Sequence, residues 1–490
     1  MSQETKRTLS RRDFLRFAGL ATGAAALAAC APQVIKETQV IKETQVVEKT
    51  VKETQVVKET QVVKETQLVK ETQLVEVEVE KIITATPPPP VKGSLMFTWP
   101  NDAVNGPIYE AMWKDFQSLY PDIQLDIVWN GDQNKLIAAG TPPAFMHGGD
   151  VWPKELKVSL DLDPLIAADP SFDLTKFDPH GIEPLKIDGK LKALPQYFNI
   201  SLLYYNKKLF DEAQVAYPTP SWSKDDFMNA ARTLTKKDGD KYVQWGAEVS
   251  HGWWGTWLTF VRQAGGEWMD VKNCKVTLNT PEAIEGMKYF IGLCTVGDDK
   301  VSWLPTEDSL GGFQGGKVAM SYGSHTGLWN TYRSANIDFD VEVLPMGIKQ
   351  QAGGEQALDG KSIHKDTKDL EAAWTALKFF SGYDAQYKYY ANVGPTARTD
   401  VQQELTKTAK ENRLRNPKNL EAVFSAFNQG FGMGLPRHLG FVEATQNTVQ
   451  PVIDLILEGK KTVEEGLGEA NQAAQDFMDA TYPDCGASTY

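Results

Sequence analysis

"SLMFTWPNDAVNGPIYEAMWKDFQSLYPDIQLDIVW", residues 94–129, decides the fold class of this chain. Its first six residues form an apolar run of strand length. Ile108, Met112, Phe116 and Leu119 then recur at helical spacing, as on one face of an amphipathic helix. "IQLDIVW", 123–129, alternates apolar and polar residues, the period of a half-buried strand. Strand, helix and strand in that order make a βαβ unit, which lays a parallel sheet beneath a helix. The same alternation of segment types continues to the end of the chain, so 91–490 reads as an α/β protein. Helix starts are marked by Ser223 with Asp226 three residues on, and by Thr280-Pro281 ahead of Ile284, Met287 and Ile291. Leu370, Trp374, Leu377 and Phe380 form another stripe, which gives Trp374, like Trp113, a role in packing.

The front end is of another kind. Residues 10–16, "SRRDFLR", hold a twin-arginine pair ahead of an apolar run from Phe17 to Ala29, too short to cross a bilayer as a helix. The pattern resembles a twin-arginine export signal, and "LAAC", 27–30, resembles the lipobox of bacterial lipoproteins. The resemblance implies a signal peptide at 1–29 and Cys30 as a lipid-bearing first mature residue, held outside the cytoplasm at the cell membrane by its acyl chains. From Gln33 to about Glu80 the triplet Lys-Glu-Thr recurs at 36, 42, 52, 58, 64 and 70. On a helix each six-residue unit turns the apolar pair by about 240°, so no stripe forms. On a strand each doublet such as Val56-Val57 puts one side chain on either face. Residues 30–90 therefore read as a tether, ended by the stiff prolines 87–90. Self-assembly through the β-prone valines is the alternative, opposed by two charges in every unit.

A net charge of −13 excludes nucleic acid as a partner and direct docking on anionic membranes, leaving the lipid anchor as the membrane contact. Four cysteines without a CxxC and six scattered histidines give no metal-ligand spacing, and no cofactor motif is present. There is no GxSxG and no HExxH. "GGEQALDGKS", 353–362, has one residue too many between Gly354 and Gly360 for a phosphate loop. Spacing alone does leave open a pair of carboxylates of the glycosidase kind.

"GKLKALP" (189–195), "LLYYNKKLFDEA" (202–213), "SWSKDDFMNAARTL", "AGGEW", "FQGGKVAM" (313–320), "VEVLPMG" and "LEAAWTALKFFSG" follow one another in the order found in extracellular solute-binding proteins of family 1. The chain resembles these maltose-binding-protein-like receptors of ABC importers over nearly all of 93–480. It departs from them in "GTPPAF", where Ala144 stands in place of a frequent aspartate. The resemblance implies a two-lobed periplasmic-binding-protein type II fold with hinge strands and an interlobe cleft. Lobe 1 would comprise 91–196 and 352–393, and lobe 2 would comprise 202–343 and 400–490. Crossings are expected near 196–201, 344–351 and 394–399. The implied function is a monomeric receptor, not an enzyme, that closes on a sugar or oligosaccharide and passes it to ABC permease subunits. Glycerol phosphate or another polyol is the alternative ligand. A surface-tethered carbohydrate-active enzyme and an adhesive surface protein are the rival classes.

Ligand contacts are expected on strand-end loops and hinge strands, where aromatic faces meet sugar rings and carboxylates or amides meet hydroxyls. Trp99, Asn101 and Asp102 follow the first strand, and Trp129 the second. Asp150 and Trp152 lie beyond "GTPPAF". Tyr197 and Asn199 are on the first crossing, where the family commonly contacts its ligand. In "HGWWGTW", 251–257, Trp257 continues into a helical stripe and reads as core, whereas Trp253 and Trp254 sit between glycines and are candidates for stacking. Tyr322, Ser324 and Trp329 follow a later strand, with His325 among them read as a hydrogen-bonding or surface group. Gly353 and Gly354 offer close backbone approach, with Asp359 beside them, and Arg398 lies at the third crossing. An oxidising compartment makes a Cys274–Cys294 disulfide the expected bridge, with separate buried thiols as the alternative.

Overall fold

The computed structural model describes residues 34–50, 68–84, 91–99, 102–147, 153–249, 252, 254–295, 300–303, 309–350, 356–410, 416–428 and 434–489. It divides into two units, 1–90 and 91–490. In the first, Val34–Thr50 and Leu68–Thr84 pair as antiparallel strands. In their register Glu37 stands opposite Lys81, Lys42 opposite Glu76 and Glu48 opposite Lys70. The signal peptide and Cys30 lie outside the described residues.

The second unit is built on a mixed sheet. Its strands run in the order Glu248–Val249, Met320–His325, Leu194–Asn206, Gln356–Ile363, Phe145–His147, Gly93–Trp99 and Ile123–Trp129, with Phe339–Glu342 also on Leu194–Asn206. The βαβ unit is present: Gly93–Trp99 and Ile123–Trp129 are parallel neighbours joined through the helix Gly106–Leu119, whose Pro107 occupies the first turn. Ser223 and Asp226 form the capping box of Lys224–Leu234, and Pro281–Thr295 follows Thr280. The stretch resembling a phosphate loop is a strand from Gln356 onward.

The long strand Leu194–Asn206 organises this unit. Up to Ile200 it pairs with Gln356–Ile363, and from Ser201 with Met320–His325 and then Phe339–Glu342. The change of partner falls inside 196–201, the first expected crossing. At the third, the Pro395 carbonyl accepts from Phe198 N–H at 2.8 Å. Successive side chains of a strand point to opposite faces. Leu202 and Tyr204 accordingly enter one hydrophobic core, and Leu203 and Tyr205 enter the other.

The first core gathers Phe97 stacked on Trp113 at 4.1 Å, Trp99 edge-on to Trp113 at 5.0 Å, and Phe380. The second is built around Trp257, Phe260, Trp268 and Phe441. Residues 400–490, expected wholly in lobe 2, divide between them. Val401, Leu405, Phe424 and Phe427 join the first core, while Leu435 through Met478 line the second. The physical reason is Phe427, which stacks on Phe198 of the long strand at 3.8 Å and 9°. The cysteine pairing also differs from expectation. Cys274 is bridged to Cys485, and Cys294 lies buried with its thiol 3.8 Å from Ser302 Oγ. The backbone carries the C-terminal segment back to Cys274, a proximity that spacing along the chain does not reveal.

Candidate functional site

Every residue of the two central strands, Leu194–Asn206 and Gln356–Ile363, is buried except Tyr197, Asn199 and Asp359. Tyr197 stands opposite Asp359 in register, and Asn199 opposite Ala357. His147 and His325, each partly exposed, end the neighbouring strands. These five partly exposed polar residues thus interrupt the buried run of the sheet at the point where the long strand changes partners.

Tyr197 donates to Asp359 Oδ2 at 2.7 Å. Asp359 Oδ1 lies 3.7 Å from both His147 Nδ1 and Lys361 Nζ, and Lys361 Nζ is 2.8 Å from His147 Nδ1. Beneath them the Lys361 ammonium rests 4.3 Å from the centre of the Trp99 ring. Desolvation pushes the Asp359 carboxyl upward, but Lys361, His147 and Tyr197 together outweigh it and hold it at about 2. Burial brings Lys361 down to about 8 against the pull of Asp359. Burial, then Lys361, keeps the His147 imidazole below its usual range. An ion pair beside a neutral histidine results.

On the other side of the partner change, Thr326 Oγ1 donates to the Phe198 carbonyl at 3.1 Å and accepts from Ile200 N–H at 3.2 Å. That stitch brings His325 beside Asn199. A Cβ on Gly327 would lie 2.8 Å from His325 Nδ1 and 2.9 Å from Asn199 Oδ1, so glycine lets the loop pass. Both of those atoms are buried without a hydrogen-bond partner among the described residues, as is Asp359 Oδ1. Buried polar atoms are ordinarily hydrogen-bonded, and these three can each take a partner from an outside group. Burial lowers His325 to about 4, so it too is neutral.

The structure brings together Trp99, Tyr197 and Asn199 from among the expected contacts, with Trp99 forming the apolar support. Trp129 ends its strand beside Trp99, half-buried, and Asp102 caps the following turn by accepting from Val104 and Asn105 N–H. Trp329 opens the helix Trp329–Ser334 with Arg333 over its ring at 5.3 Å, and both border a groove of about 620 Å³ with Val104, Ile108, Tyr387 and Phe424. Packing accounts for four others. Trp254 is buried edge-on to Phe441, and Tyr322 stacks on Phe260 with its hydroxyl on Gln263. Ser324 lies buried between Ser321 and Tyr332, and Arg398 is held by both oxygens of Asp400 above Phe177. Asn101, Asp150, Trp152, Trp253, Gly353 and Gly354 lie outside the described residues. His147 and Lys361 escaped the sequence reading. The available signal was Asp359 and Lys361 two positions apart in a strand-like run, which puts two charges on one face.

The family model described as bacterial extracellular solute-binding protein matches residues 99–387. A putative binding protein of Brucella abortus (strain 2308) is 25% identical over 302 residues, covering 60% of this chain and 72% of its own. The maltotriose-binding protein of Pyrococcus abyssi is 24% identical over 289 residues, covering 56% of this chain and 59% of its own. Among solved structures, an ABC substrate-binding protein of Listeria monocytogenes in complex with cycloalternan superposes with a TM-score of 0.67 at 23% identity, over 79% of this chain and 99% of that one.

Proposed function

This chain belongs to the bacterial extracellular solute-binding proteins, and from that premise we propose that it is the receptor of an ABC importer, lipid-anchored through Cys30 after twin-arginine export, that captures a sugar or oligosaccharide and delivers it to a permease. The observation that carries the ligand class is the cluster of partly exposed polar residues on the central strands. Tyr197, Asn199, Asp359, His147 and His325 offer carboxylate, amide, phenol and neutral imidazole, the groups that match hydroxyls, over the aromatic support of Trp99. Relatives named for their ligands include a maltotriose-binding and a mannitol-binding protein, and a solved neighbour holds cycloalternan. A ligand held from both sides of the partner change at Ile200/Ser201 favours the closed arrangement, and this population shift tells the permease that the receptor is loaded. No chemical step is needed for that role. The front-end repeat holds the binding unit clear of the membrane.

The test is a thermal-shift panel of mono- and oligosaccharides and polyols on the full-length protein. A ligand at 100 times its Kd adds about 2.7 kcal/mol to stability and raises Tm. Unchanged Tm across the panel, with identical small-angle scattering profiles, would remove the reading.

A further inference from the structure

We propose that Asp359, Lys361 and His147 are specificity-determining residues, whose mutual pairing gives the site a charge-balanced floor that accepts an uncharged polyhydroxyl ligand and rejects one bearing a phosphate or carboxylate. The proposal rests on the receptor reading and narrows its ligand class. An ammonium has three donors and no lone pair. With Lys361 Nζ 2.8 Å from His147 Nδ1, that ring nitrogen accepts, and the imidazole proton belongs on Nε2. The same ammonium faces Asp359 Oδ1 at 3.7 Å and the Trp99 ring at 4.3 Å, and its side chain is 2% exposed. Its charge is committed before any ligand arrives.

Asp359 and His147 keep 13% and 16% exposure, so they form the reachable edge of the cluster. Asp359 Oδ1 is buried and has no hydrogen-bond partner among the described residues, so it is an acceptor that a ligand hydroxyl would complete once the strands part to admit it. Among the described residues, the other groups acting here add no cation. Glu155 acts on His147, Tyr109 on Tyr197, and Asp102 on Tyr109. Arg333 donates to the Asn416 and Asn392 carbonyls, and Arg398 pairs with Asp400. An anionic ligand would therefore meet Asp359 with no uncommitted positive partner among these groups, whereas a hydroxyl meets acceptors and neutral donors.

Isothermal titration of the full-length protein with maltotriose, mannitol, trigalacturonate and glycerol 3-phosphate tests this. The expected result is binding of an uncharged probe, with the anionic probes weaker by on the order of 100-fold. Asp359→Asn leaves the Lys361 charge uncompensated and should move the ratio toward the anions by about tenfold or more. Adding Lys361→Met to that variant should restore the original preference. Nitrogen NMR of the wild-type protein provides a readout that needs neither ligand nor variant. His147 should show the Nε2–H tautomer at neutral pH. Tighter binding of an anionic probe, an unchanged ratio in a folded Asp359→Asn protein, or a His147 in the Nδ1–H tautomer would overturn the proposal while leaving the receptor reading intact. If none of the four probes nor any member of the saccharide panel binds, the receptor reading falls and takes this inference with it.

Discussion

Tyr197 Oη donates a 2.7 Å hydrogen bond to Asp359 Oδ2, joining two residues 162 positions apart that face each other across adjacent antiparallel strands. One strand leads into the change of partner at Ile200/Ser201, and the other follows the second crossing. Burial, then Asp359, raises the Tyr197 phenol well above its ordinary range, so it remains a donor at any working pH. Tyr197→Phe should cost about 1.5–3 kcal/mol in urea unfolding, the range for a hydrogen bond to a charged group. A loss below about 0.5 kcal/mol, the scale of an ordinary surface change, would show that the bond holds nothing.

Phe427 contributes in another way. Its ring lies flat on Phe198 at 3.8 Å, and its helix, Leu420–Asn428, is thereby held against the strand that changes partners. Both rings are fully buried. Phe427→Ala should destabilise the protein by about 3–5 kcal/mol through lost burial and the cavity left behind, and Phe427→Leu should recover part of that. Thermal denaturation of the two variants distinguishes packing from a loop effect, which would make them equal.

Local periodicity made the scaffold legible. The βαβ unit at 93–129 and the cap at Ser223 are encoded within a turn or two of chain, where periods of 2 and 3.6 differ plainly. The site was legible only in part, because its contacts are made across strands. Lys361 meets His147 from 214 residues away, and no spacing rule connects them. Trp254 looked available for stacking because glycines flank the tryptophan pair. Its helix, Trp254–Gln263, is buried on every side, so no face is left for a ligand. Tyr322 is buried in a similar way: strand Met320–His325 is covered on both faces, and only its last residue is partly exposed.

Buried histidines, His325 and His438 among them, contribute to the acid limb of stability. Burial lowers both His325 and His438 to about 4 in the folded protein, below the value near 6.5 of an unfolded chain. Between those values the unfolded state takes up protons that the folded state refuses, so stability is complete above about pH 6.5 and falls as the pH drops toward 4. The bond from Gly440 N–H to His438 Nδ1 at 3.0 Å requires that nitrogen unprotonated, which supports the direction. Each site should withdraw on the order of 1–3 kcal/mol across the window. Urea midpoints measured from pH 7 to 4.5 should fall, and His325→Gln should flatten the slope by about one proton. A midpoint independent of pH in that range would contradict the burial of both rings. Asp359, held at about 2, acts only below this window.

The Cys274–Cys485 bridge closes a separation of 211 residues, with the Cα atoms 6.1 Å apart. In the chain-entropy model a loop of that size restrains the unfolded state by about 5 kcal/mol. The local structure has other supports: Gln475 on the helix Val463–Thr481 donates to the Cys274 carbonyl at 3.1 Å and accepts from Val276 N–H at 3.0 Å. Reduction should therefore lower Tm while leaving the folded circular-dichroism spectrum in place, because the bridge acts on the unfolded chain and the glutamine on the folded one. In a Cys30→Ala chain, denaturation without reductant should expose one reactive thiol, Cys294, and reduction should bring the number to three. Three thiols before reduction would dissolve the bridge, and a Tm indifferent to reductant would assign the C-terminal attachment to Gln475 instead.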